Sequence, residues 1–182
     1  MKLRHHSDDQ GAAVVEMALV IGLLLMLAMG AFEYGMAFRS WQGVTSASRE
    51  GARVGASAGS VASADCAILE ASAAALLANS GDEVIRLEIF EADPVSGIPQ
   101  ATTAYRPFDP ETDDPSNLVC GSWFRISNGW PPGSREDTGT NRDWLGVAVT
   151  YQHNWISGFL WWSGSVQWTD DSIMRLEPVQ YS

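Results

Sequence analysis

Two residues near the start of the chain have types and spacing that invite chemistry: Gly11 and Glu16, in GAAVVEMALV. A carboxylate inside an apolar run is costly, about 2.5–3.5 kcal/mol near a bilayer centre and less near its edge. Glu16 lies shallow, four residues past Ala12. It can snorkel to water, or it can meet a positive partner. Cutting the chain after Gly11 would supply one, because the new α-amine on Ala12 would sit one helical turn from Glu16.

Other candidate groups are weaker. In DPETDDPSN (109–117), Asp109, Glu111 and Asp113 alternate and Asp114 follows, as oxygen ligands begin a calcium loop. The glycine needed at the sixth position and the glutamate at the twelfth are missing, so a solvated acidic loop is the expectation and no metal is assigned. His5 and His6 fall in the polar leader. His153, between Gln152 and Asn154, is a lone histidine in a strand and is read as structural. No nucleophile elbow, zinc spacing or phosphate loop is present in the sequence, so no catalytic residue and no cofactor are assigned. Cys66 and Cys120 allow one intramolecular pairing. If the domain lies outside the cytoplasm, a disulfide is the default, worth about 4 kcal/mol for a loop of roughly 55 residues. The alternative is two buried thiols acting as small hydrophobes.

These residues need elements to position them. Residues 12–32 are apolar apart from Glu16. A helix of that length spans about 30 Å, the thickness of a bilayer core. The span follows a short polar leader, MKLRHHSDDQ, whose Lys2 and Arg4 favour a cytoplasmic N-terminus, although Arg39, Arg49 and Arg53 beyond the span oppose it. Ala28-Met29-Gly30 resembles a secretory cut site, but the apolar stretch is long for a signal and carries Glu16.

Residues 33–58 continue the helix outward. Gly51 and Gly55 form a small-xxx-small pair that admits another helix or packs on the chain's own domain. A second helix is expected at about 61–79, capped by Ser60 and stopped at Asn79-Ser80-Gly81. EVIRLEIFEAD (83–93) alternates as a strand. Residues 92–143 hold seven of the eight prolines and read as a long acidic excursion with one short strand at 122–126. WLGVAVTYQHNW (144–155) is a strand. The tryptophan-rich 155–168 suits core packing, a bilayer surface or a neighbouring subunit. A final strand over 165–178 is broken at Asp170-Asp171, expected as a turn. Together these predict an α+β architecture, with the second helix laid on a small antiparallel sheet.

The formal net charge of −11 leaves no footprint for nucleic acid and no charge attraction to anionic lipid. The ordered set GAAVVEMALV, FEYGMAF (32–38) and SREGARVGAS (48–57) resembles TadE-like pseudopilins of tight-adherence pilus systems, and SIMRLEP (172–178) resembles the strand closing their extracytoplasmic domain. Met17 departs from the aromatic usual after the glutamate. The resemblance implies a leader (1–11) cut by a prepilin peptidase between Gly11 and Ala12, and Glu16 as the carboxylate used in helix assembly. It also implies a membrane-anchored, non-enzymatic subunit whose domain lies outside the cytoplasm. Its implied partners are other pseudopilins and pilin, and a platform with its ATPase. The rival reading is a signal-anchored binding module whose ligand sits in 92–143.

Overall fold

A computed structural model describes residues 7–77, 83–155 and 163–178. The residues beyond these, including Lys2, Arg4, His5, His6, the expected helix stop Asn79-Ser80-Gly81, and Trp161 and Trp162, lie outside the described set. The fold is α+β. Helix α1 runs Ser7–Ala58 without interruption, 52 residues or about 78 Å. Helix α2 is Ala64–Leu77. The strands are β1 Glu83–Ala92, β2 Pro99–Pro107, β3 Leu118–Val119, β4 Trp123–Asn128, β5 Trp144–Asn154 and β6 Ser165–Arg175. They form one antiparallel sheet in the order β3-β4-β2-β1-β5-β6.

The register sorts the side chains by strand alternation. Leu87 and Ile89 of β1 oppose Val149 and Val147 of β5 on one side, and Tyr105 and Thr103 of β2 on the other. These residues are buried beneath Ile68 and Leu69 of α2 and Val44, Ala47 and Ala52 of α1. Among the described residues the opposite face holds a small cluster, with Phe90 lying against Gly146, where any side chain would collide with the ring. The core is therefore a single layer between two helices and one sheet face.

Three expectations are corrected. First, residues 92–143 are not an excursion with one short strand. Pro99–Pro107 is a full strand in the sheet interior, between β1 and β4. Its flanking prolines and the run Ala101-Thr102-Thr103-Ala104 hid it, because small residues carry little apolar alternation. Second, Asp170-Asp171 does not break β6. Asp170 faces α1 and accepts a hydrogen bond from Ser48 Oγ at 3.0 Å, while Asp171 pairs across to Ala148 on the other face. An inward-facing acid on an outermost strand also guards a sheet edge against unwanted pairing. Third, Ser60 does not cap α2. Gly59 adopts φ +55° as α1 ends, and its N–H donates to Gly55 O. The Ser60 N–H then donates to Asp137 Oδ2 at 2.7 Å. Helix α2 instead opens where the Ala67 N–H reaches Ser63 O.

Candidate assembly helix and its seat on the domain

Helix α1 is one element in two environments. From Gly11 to Met29, nearly every residue is exposed, including Val15, Leu19, Leu23 and Leu27. Gly11, Ala12 and Glu16 all lie on this exposed part, with Glu16 one turn along from Ala12. From Gly30 onward a buried stripe appears: Gly30, Glu33, Ala37, Ser40, Gly43, Val44, Ala47, Ser48, Gly51 and so on. The spacing of three and four is that of one helix face. Most of these residues are small, so the helix axis sits close to its neighbours.

The Gly51–Gly55 pair is used within the chain. A Cβ at Gly55 would lie 2.8 Å from Leu145 Cδ2 and 2.9 Å from Ile68 Cδ1, and one at Gly51 would crowd Ser72 and Val147. The Ser72 hydroxyl donates to Ala47 O at 3.2 Å, joining α2 to α1. The end of the chain closes the seat: Leu176 is fully buried, and the Glu177 N–H donates to Ala56 O at 2.8 Å, satisfying a carbonyl of α1's last turn.

Helix α2 is itself fastened at its first turn. Cys66 and Cys120 are disulfide-bonded, with Cα atoms 5.3 Å apart, across 54 positions of sequence. Beside them lies a buried polar hub that sequence reasoning missed. Asp65 accepts from Tyr105 Oη at 2.5 Å and is ion-paired with Arg135 Nη2. Arg135 lies over the Trp130 ring, 4.7 Å from its centroid. Asp65, Tyr105 and Arg135 are all essentially excluded from solvent. Burial, then the hydrogen bond to the Asp65 carboxylate, pushes the Tyr105 hydroxyl well above the usual tyrosine range. No local signal marks this hub: Arg135 sits in a Pro- and Gly-rich loop 70 positions from Asp65.

The acidic loop is committed to itself. Asp109 accepts from the Glu111 N–H and the Thr112 hydroxyl, each at 2.9 Å. Asp113 is paired with Arg106, whose hydrogen bonds hold its carboxyl below the usual range. Asp114 accepts the Ser116 N–H as the cap of a short 3-10 turn over Pro115–Asn117. Among the described residues, no three His, Cys, Asp or Glu side chains converge as a metal site.

His153 is buried in β5 between two tryptophans, edge-on to Trp155 at 5.1 Å and stacked on Trp168 at 6.0 Å. Trp155 in turn meets Tyr34 of α1 edge-on at 6.0 Å. The described part of the tryptophan-rich segment thus packs between the sheet and the point where α1 leaves the domain.

Among the described residues one helix, α1, is long and apolar enough to cross a membrane, and it ends seated on a small α+β domain. Residues 11–53 match the family model of TadE-like proteins. The match covers 43 of the chain's 182 residues. No curated protein and no solved structure matches significantly. The TadE-like segment takes in the exposed span and most of the seated half of α1, through Arg53, and stops short of α2 and the sheet.

Proposed function

We propose that the chain is a minor pseudopilin of a tight-adherence pilus, made as a precursor, cut between Gly11 and Ala12 by a prepilin peptidase, and anchored by residues 12–32. In this reading the N-terminus faces the cytoplasm and the α+β domain lies on the other side of the membrane. The exposed span packs among the helices of other pseudopilins and pilin, assembled by the platform and its ATPase. Glu16 compensates the α-amine of Ala12 or that of a neighbouring copy. The reading is carried mainly by the family match over residues 11–53, which takes in an apolar span exposed on all sides.

Mass spectrometry of the mature N-terminus tests it. A chain starting at Ala12 is expected; an intact Met1 or a start at Ala31 would sink it. The carboxylate is tested separately. Glu16→Ala should leave membrane insertion intact, since losing a shallow charge removes a cost of a few kcal/mol at most. It should also lower co-purification with pilin-like partners severalfold. Unchanged co-purification would refute the pairing.

A further inference from the structure

Glu33 is the only acidic or basic residue between Met17 and Phe38, and it is turned inward, with 0% of its surface exposed. The outward surface of α1 is therefore free of charge from Met17 as far as Phe38, and its first outward charge past Glu16 is Arg39. That stretch measures about 33 Å along the helix, close to the ~30 Å of a hydrocarbon core. The apolar surface of the span also runs without a break onto the domain, where Tyr34, Ala37, Phe38 and Trp41 of α1 and Trp168 and Thr169 of β6 line an open groove of about 410 Å³. Tyr34 and Phe38 are more than half exposed.

We propose that this groove seats an acyl chain of a phospholipid from the leaflet on the domain's side, so that the domain rests in the bilayer interface. The proposal rests on the anchored reading above. Three observations select this occupant. The groove continues the surface that the bilayer would cover. Its Tyr and Trp side chains pair an apolar ring with a polar edge, the combination favoured at the interface. The net charge of −11 disfavours an anionic headgroup and leaves the chain portion of the lipid as the ligand.

The test uses the full chain in phosphatidylcholine nanodiscs, with an environment-sensitive fluorophore on Phe38→Cys or, separately, on the groove rim at Thr169→Cys. Leu19→Cys reports the span, and Val95→Cys, at the exposed turn between β1 and β2, reports solvent. Quenching by lipids spin-labelled high on the acyl chain should be severalfold stronger at Phe38 and Thr169 than at Val95, and should exceed quenching by lipids labelled near the chain end. If Leu19 is quenched while both groove labels behave like Val95, the groove proposal falls and anchoring stands. If the groove labels are shielded from water yet insensitive to spin-labelled lipid, a protein occupies the groove and the proposal falls. An unquenched Leu19 would overturn the anchored reading and the proposal with it.

Discussion

The two halves of α1 share one backbone and differ in nearly everything else. Residues 12–29 are apolar apart from Glu16, mostly large, and exposed on every side, so no face is distinguished. Residues 30–56 carry a stripe of glycine, alanine and serine on one face, and that face is buried against α2, β5 and β6. The first half is built for a solvent that is itself apolar; the second is built for one neighbour at close range. A helix that must serve both cannot bend between them without losing the line from span to seat, and α1 is continuous across the junction. The two halves should therefore respond to mutation independently: changes in the seat should alter domain stability and leave insertion alone, and changes in the span should do the reverse.

The largest effect is expected where the seat is itself held. Asp65→Ala leaves Arg135 buried without its counter-charge, a loss of about 3–5 kcal/mol. Thermal unfolding of the detergent-solubilised chain should fall by about 10 °C or more, while membrane fractionation stays unchanged. The double variant Asp65→Leu with Arg135→Met should recover most of the loss, since it removes both charges together. If the single variant unfolds like the native chain, the hub does not hold α2. If it fails to insert, the halves are coupled and the comparison breaks.

A middle-sized effect separates the halves directly. Gly55→Val adds atoms where a Cβ would already lie 2.8 Å from Leu145 and 2.9 Å from Ile68, and overpacking of this kind costs about 1–3 kcal/mol. Gly22→Val adds the same atoms where nothing lies within 4 Å. Domain unfolding measured by circular dichroism should shift for the first and stay within about 0.5 kcal/mol for the second. Equal shifts would mean that the span also packs on the domain.

The same contrast explains what was legible in the sequence. The span was readable because its environment acts on composition alone: a run of apolar residues of bilayer length needs no partner to be recognised. Strands β1 and β5 were readable because Leu87 and Ile89, and Val147 and Val149, alternate with polar or small neighbours. Strand β2 was not, because a strand in the sheet interior that is filled with Ala and Thr carries no such contrast. Whether Gly51–Gly55 served a partner or the domain was likewise undecidable locally, since the deciding atoms belong to Leu145 and Ile68. The Asp65–Tyr105–Arg135 hub lay furthest out of reach. It joins three segments whose only common property is their place in the fold, and Asp65 alone looks like an ordinary acid in a helix's first turn.

The alkaline decline sharpens the comparison through pH. Tyr105 donates to Asp65, and its hydroxyl is held neutral in the folded domain by burial and by that carboxylate. In the unfolded chain it ionises near pH 10. A group whose proton is held more tightly in the folded state contributes stability that is complete below its unfolded pKa and is lost as pH rises above it. The native domain should therefore unfold at steadily lower temperature as pH rises from 9 to 11. Tyr105→Phe should cost about 1.5–3 kcal/mol at pH 7, because it removes a hydrogen bond to a charged acceptor, and it should flatten the alkaline decline. The exposed half of α1 carries no part of this hub, so the helical signal of the span in micelles should be the same for both proteins across the range. A decline of equal slope in the variant would assign the alkaline loss to other groups and would detach Tyr105 from the fastening of α2.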